Sequence, residues 1–522
     1  MSTFKKLASD TALYGISTIL ARSINFALAP IQTYAFRQPA DLSSNVTIYA
    51  WIGVLLAIYT LGLETAYFRF AARAKGDERA DERQLVFNRS TSLLILSGLI
   101  PALLTTLFAD QIAVQMGYPG EGIAVMWGGV ILAIDTIMAV PFARLRVENK
   151  AKQFVLAKVL NILINVALNV FFIVLCKDIA EGDYLPALRP VAAFIYRPEI
   201  GPAYILLANL IANGLYLVLL RNAFSGFRFT LDRAATQTLL AYSFPIMLTG
   251  LSGVLNQLTD RLLLRQFLPD GFYPGLTAKD ALGIYGNCLK LSIFMALAIN
   301  SFKFAADPFF FSRAEDKNSP KLLADVTKWF IIVCVVLWVG VSLNLDIIGK
   351  LTLSAEYRVG LGVVPILLLA NLLLGVYYNI SFWFKLSDKT SFGTIITVVG
   401  TAVTALFNVL LIPKMGYMGC AWAFLASSFV MMVLCYVLGE KYYPVPYHLR
   451  SAFFYIVSAG LLIYGSSLVQ IPNLWISVPY HMTLFVLYLG IIAIVERDTV
   501  RLALQRIRRR PAQQPAPSRS DG

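Results

Sequence analysis

The sequence predicts an all-α integral membrane protein of about fourteen transmembrane helices. These should form two parallel six-helix lobes around a central cavity, with two further helices at the C-terminal end. Three observations carry that expectation. Charged residues make up only 14% of the chain and hydrophobic ones 58%, with a mean hydropathy of +0.68, whereas a soluble domain holds about 25% charged residues. The apolar residues fall in long runs close to the ~20 that cross a bilayer as a helix, not in the alternating ten-residue strands of a barrel. Short motifs of the first half also return in the second at a nearly constant offset.

The runs lie near 11–36, 44–70, 90–109, 123–143, 155–176, 202–220, 239–268, 281–306, 324–344, 361–384, 391–411, 417–437, 451–469 and 478–496. The first follows Lys5 and Lys6 but is long, partly polar and without a cleavage site, so it reads as a retained helix and not a signal peptide. Threading the chain through fourteen spans puts 31 of the 44 Lys and Arg on the side of the N-terminus and tail, and 8 on the other. By the positive-inside rule both termini are expected in the cytoplasm. The net charge of +14 then reflects topology, and no nucleic-acid partner is needed to explain it. The five Cys lie in or at the ends of spans without CxxC spacing, and the two His are remote from them, so neither a metal site nor a disulfide framework nor any cofactor is expected.

Four matches define the repeat. Tyr14–Ser17 returns as Thr249–Ser252, Ile48-Tyr49 as Ile284-Tyr285, Phe68–Ala71 as Phe302–Ala305 and Asn169–Ile173 as Asn408–Ile412, at offsets between 234 and 239 residues. Six spans per unit is an even number, so both units enter the membrane in the same direction, with a substrate site between them. The expected divisions are an N-terminal lobe over 1–222, a C-terminal lobe over 223–438, spans thirteen and fourteen over 439–497, and a basic, disordered cytoplasmic tail over 498–522.

Charges inside the spans mark the candidate site. In LSGVLNQLTDRLLLRQFL (251–268), Asn256, Asp260, Arg261 and Arg265 recur at helical spacing and are expected to stack along one face. A charge at mid-bilayer costs at least ~2.5–3.5 kcal/mol on insertion scales, so such a face should look onto a bundle interior or a wet cavity. Lys290 of the returning span lies at about the same depth. Asp260 could equally neutralise a neighbouring cation in a structural clamp. Arg22, Arg261, Arg265, Lys290 and Lys303 outnumber Glu64, Asp135 and Asp260, which leaves a positive cavity suited to an anionic group. Arg69 and Lys303 sit near cytoplasmic ends, where long side chains also reach headgroups. Glu64, Asp135 and Asp260 are candidates for ion coupling or charge pairing, and Asn25, Asn256 and Asn300 for polar lining. Asn161, Asn165 and Asn169 form a stripe that either glues helices or lines an aqueous path. No nucleophile elbow, Walker loop or zincin pattern occurs, so no enzyme is expected.

The chain resembles the Wzx-like polysaccharide flippases of the multidrug/oligosaccharidyl-lipid/polysaccharide exporter superfamily. The resemblance rests on GLETAYFRF (62–70), PFARLRVENKAKQF (141–154), NQLTDRLLLRQFL (256–268), GIYGNCLKL (283–291), ADPFFFSRAEDKNS (306–319), GVYYNISFWFKLSDKT (375–390) and IPKMGYMGCAWA (412–423). It implies two lobes with spans one, two, seven and eight lining the cavity, on which Arg22, Glu64, Arg69, Asp260, Arg261 and Lys290 fall. It also implies a bacterial inner-membrane flippase that moves an undecaprenyl-diphosphate oligosaccharide, a repeat unit of O-antigen, capsule or exopolysaccharide, to the outer leaflet by alternating access. The expected partners are that lipid, the bilayer and a polysaccharide polymerase, with the protein acting as a monomer. A cation-coupled multidrug exporter, a lipid II flippase and a membrane enzyme are the competing readings. The first would want a carboxylate-dominated cavity. The last would want a large external catalytic loop, whereas the longest outer loop is only about 177–201.

Overall fold

The computed structural model describes residues 26–73, 80–182, 185–311, 319–387, 389–469, 471 and 473–497. Every regular element among them is helical, and thirteen helices are long and apolar enough to cross a membrane. They correspond to spans two through fourteen of the sequence. Of span one only the Leu28–Ala35 helix and its flanks are described, so Tyr14–Ser17, Arg22, Asn25 and the basic tail lie outside the described residues.

Sequence chemistry sets the helix ends. Span seven runs Arg233–Phe267, six residues longer at its start than the apolar run, because the Asp232 carboxylate accepts the Ala235 N–H and caps it. Span eight opens with a capping box in which Thr277 and Asp280 satisfy each other's backbone donors. Span two, Pro39–Ala71, is broken at Leu61 and Gly62, both with positive φ. At Gly62 a Cβ would meet the Ser243 carbonyl of span seven, so glycine permits that approach.

Two more breaks sit at polar residues inside spans. Span five, Ala151–Glu181, changes to a π-helical stretch at Phe171–Cys176, just after Asn169. Span eight, Ala278–Lys303, tightens to a 3₁₀ turn at Lys290–Ser292. Irregular turns of this kind recur at functional positions within helices.

Spans two to six pack on one another, with Ala80–Leu107 against Gly122–Val147 and Ala151–Val170 against Tyr204–Leu219 as main pairs. Spans seven to twelve form a second group around Val363–Ile380, Ser391–Met415 and Tyr417–Tyr442. The groups meet where span two lies along spans seven and eight. There the Cβ position of Gly283 is taken by the Pro39 carbonyl and that of Gly286 by Val46, so backbones approach closely. Spans thirteen and fourteen pack on Ser319–Leu343 of span nine. Lys328 of that span pairs with Glu496 at 2.6 Å, and the Tyr455 hydroxyl of span thirteen donates to Glu496 at 2.8 Å.

Candidate functional site

Span seven does not present its polar residues on one face, as the spacing predicts, but divides them between two adjacent faces. Asn256, Asp260 and Leu264 are buried in the C-terminal group. Asn256, expected to line the cavity, instead accepts hydrogen bonds from Thr404 and Ser427 and belongs to helix packing. One residue further round, Arg261 and Arg265 face space between the two groups. A four-residue repeat on a 3.6-residue helix drifts, and neighbouring residues lie about 100° apart.

The hydrogen bonds to Asp260 come from groups other than a guanidinium. It accepts from the Tyr285 hydroxyl of span eight and from the Arg261 backbone N–H at 2.7 Å. The Arg261 Nε is 3.9 Å from the carboxylate and has no hydrogen-bond partner. The Arg261 side chain instead lines two adjoining cavities.

The first cavity, of about 490 Å³, lies between spans two, three, four and seven and is walled by apolar and aromatic side chains such as Trp51, Ile52 and Tyr59, with Gln115, Arg265 and Gln266 among its polar groups. Arg265 stacks over the Tyr118 ring at 4.8 Å, which ties it to the loop between spans three and four. The second cavity, of about 290 Å³, is richer in amides. Here Lys290 donates to Gln32 Oε1 at 2.9 Å and to Asn287 Oδ1 at 2.8 Å. Gln32 reaches Asn169 at 3.4 Å, and Asn169 donates to the Asn165 carbonyl at 2.8 Å. The chain of contacts thus joins spans eight, one and five.

The structure brings Arg261, Arg265 and Lys290 together around these cavities and places other candidates elsewhere. Arg69 stacks over Tyr242 at 4.1 Å. Lys303 lies over Tyr378 at 4.1 Å, beside Lys385 in the C-terminal group. Asn300 donates to the Ala296 carbonyl of its own helix at 2.6 Å. Glu64 pairs with Arg146 of span four. Asp135 accepts from Asn213 at 2.9 Å, and Asn213 from Asn161 at 2.9 Å. The span-five stripe therefore divides too: Asn161 joins helices, while Asn165 and Asn169 line the cavity. Gln32, Asn45, Tyr49, Asn209, Tyr285 and Asn287 escape a reading based on charge. Their signal is an uncharged amide or phenol within an apolar run.

A third cavity, of about 890 Å³, is a groove between spans nine to thirteen. Its wall is almost wholly apolar, with Lys328 and His448 among its few polar groups. His448 meets Asp325 at 2.9 Å.

Fold and site together define a multi-pass helical membrane protein with a cationic cavity between two helix groups, the architecture of membrane transporters. The sequence profile of the polysaccharide biosynthesis protein family matches residues 10–312, and the chain belongs to that family. No curated protein matches it in sequence. Among solved structures it is similar to the lipid II flippase MurJ in an inward closed conformation, at 13% identity and a TM-score of 0.70, covering 94% of this chain and 100% of that one. It is also similar to an inward-facing MATE family multidrug resistance transporter of the MOP superfamily, at 14% identity and a TM-score of 0.61, covering 80% and 94%. The MATE multidrug transporter DinF-BH shows 15% identity and a TM-score of 0.56, covering 87% and 97%. At these identities the likeness establishes the shared fold.

Proposed function

We propose that this protein is a flippase that carries an undecaprenyl-diphosphate-linked oligosaccharide from the inner to the outer leaflet of the bacterial cytoplasmic membrane for polysaccharide synthesis. One observation carries the reading: Arg261 and Lys290 face one cavity between the two groups, and the nearest carboxylate, Asp260, already accepts from Tyr285 and a backbone N–H. Two cations against that one carboxylate leave a net positive charge for a ligand. A guanidinium holds phosphate oxygens in a bidentate fork, so Arg261 binds the diphosphate and Lys290 adds a second charge through the amides that position it. Membership of the polysaccharide biosynthesis family supports a polysaccharide repeat unit over the peptide-bearing disaccharide of lipid II. The mostly apolar cavity on the other side of Arg261, walled by Trp51, Ile52 and Tyr59, gives the hydrocarbon next to the diphosphate a place outside the amide-lined one. A small-cation exporter is disfavoured because, among the described residues, Glu64 and Asp135 point away to Arg146 and Asn213.

Alternating access then requires the groups to part where spans two and eight touch. Depleting the protein in its native host should cause a lipid-linked oligosaccharide to accumulate on the cytoplasmic face. Extraction and mass spectrometry of undecaprenyl lipids would detect it, and no accumulation would defeat the proposal.

A further inference from the structure

We infer that the short outer helix between spans five and six docks its exposed apolar face on phospholipids of the outer leaflet, as an interfacial anchor. The inference needs only a chain that spans a membrane and does not depend on what is transported. The helix runs Arg189–Ile195 after a 3₁₀ turn at Pro186–Leu188, and is apolar but too short to cross a bilayer. Ala192 and Tyr196, four residues apart, are buried and mark its protein side. Its outer flank carries Leu188, Val191, Phe194 and Ile195, at the three- and four-residue spacing of one helix face. These are 48%, 57%, 80% and 36% exposed. Arg189 lies about 160° round from Val191 at ~100° per residue, and its Nε donates back to the Ala180 carbonyl at 3.3 Å.

Chain lengths set the depth of this helix. Span six, Gly201–Leu219, has 19 residues and measures about 28 Å, which matches the ~30 Å hydrocarbon core. Its first turn therefore lies at the outer edge of that core. Tyr204 in that turn stacks with Phe172 at 5.3 Å and with Tyr196 at 5.2 Å. Its hydroxyl donates to the Ile195 carbonyl at 2.7 Å and accepts from the Arg197 backbone N–H at 2.9 Å, so the end of the short helix is fixed at that level. Span five, Ala151–Glu181, has 31 residues and reaches about 46 Å, past the core and through the headgroup layer. The short helix packs along the outer end of that span. It is thus confined to the headgroup layer, where an apolar face meets the acyl boundary and not bulk water. Between Leu185 and Pro198 the only charges are Arg189 and Arg197, the sign that suits lipid phosphate. Lys177, at the base of the same hairpin, donates to the carbonyl of Ala35, the last residue of the span-one helix, at 2.7 Å. The docked helix therefore holds the outer ends of spans five and one at one height in the leaflet.

Spin labels on the full-length protein, in liposomes of phosphatidylethanolamine and phosphatidylglycerol, test this. The five native cysteines are buried, so wild type taken through the same labelling serves as the blank. Labels at Val191→Cys and Phe194→Cys should collide more with oxygen, which concentrates in lipid, than with a water-soluble nickel chelate. At Ala193→Cys, on the flank away from Val191, the order should reverse. Nickel collisions in excess at 191 and 194 would place the helix in water and overturn the inference. Exclusion of both reagents there would overturn it too, since protein and not lipid would then cover the face. A second variant asks whether the face itself drives docking. Val191→Asp with Phe194→Asp changes two exposed side chains, so folding is spared. It should switch a label at Leu188→Cys from oxygen preference to nickel preference. An unchanged label would show that the tie to span six alone sets the depth, which overturns docking by the apolar face.

Discussion

Replacing Arg261 with Ala separates a ligand role from a clamp role, and the structure sets the expected sizes. Asp260 keeps the Tyr285 hydroxyl and a 2.7 Å backbone N–H when the guanidinium is removed. The lost ion contact is long, at 3.9 Å, and the Arg261 side chain is 21% exposed. Breaking a buried pair costs about 3–5 kcal/mol when the remaining charge has no other partner; Asp260 keeps two donors, so Arg261→Ala should lose less than that and still fold and insert. Two charge-assisted hydrogen bonds to phosphate contribute about 1.5–3 kcal/mol each. Losing both should cut transport by about 10²–10⁴-fold, taking tenfold per 1.36 kcal/mol. Arg261→Lys keeps the charge but not the fork, and should recover only part of the loss. The assay is surface polysaccharide, together with cytoplasmic-face lipid-linked oligosaccharide, in a depleted strain at matched membrane levels. The discriminating variant is the double change Asp260→Asn with Arg261→Gln. If Arg261 merely neutralised Asp260, the double variant would transport nearly normally and the single changes would be the damaging ones. Near-normal transport by the double variant would refute the diphosphate role.

Four further outcomes are expected. Single cysteines placed in 185–200 should react with an impermeant reagent from outside, and those in 80–88 only after permeabilisation; the reverse would contradict the charge count. Gly283→Ala should weaken the contact between spans two and eight by about 1–3 kcal/mol, because the new methyl meets the Pro39 carbonyl. On a Val46→Cys background it should raise labelling from outside, and unchanged labelling would show that the contact is not a gate. Burial works against the Glu496 charge, but hydrogen bonds from Lys328 and Tyr455 prevail and hold its carboxyl below the ordinary range. Its contribution to stability is therefore complete above the ordinary glutamate value of about 4.3 and is lost as pH falls through the lowered one. Melting curves should show this acid loss in wild type but reduced in Glu496→Gln. Asp135 accepts from the Asn213 amide and faces the Lys158 ammonium without a hydrogen-bonded ion pair, and Asp135→Asn should flatten the pH dependence of transport; an unchanged profile would remove it from consideration.

The difference between what the sequence made legible and what it hid follows from the energies involved. A span must be apolar along its length to partition into lipid, so helices two to fourteen stand out in composition. Span seven's extra turns escaped because Asp232 caps a polar start that hydropathy cannot recognise. Charges are legible for the same reason: Arg261 and Lys290 are costly in a bilayer, so their presence demands a cavity. What charge could not show was which cations are left for a ligand. Arg69 over Tyr242 and Lys303 over Tyr378 look like Arg261 in sequence, and only packing separates them. Amides were less legible still, since an asparagine within a span costs less than a charge and commonly joins helices. Asn161 does so and Asn165 does not, although they lie four residues apart on one helix.

The decisive property of the site is therefore the balance of donors and acceptors left over after the helices have satisfied one another. Span seven turns its carboxylate inward to Tyr285 and its guanidinium outward to the cavity, so helix packing occupies the carboxylate oxygens and leaves the guanidinium donors for a ligand. Spans two and six satisfy the amide nitrogens of Asn45 and Asn209 on Pro202 and Tyr49. A pocket assembled in this way offers a ligand hydrogen-bond donors beside a net positive charge.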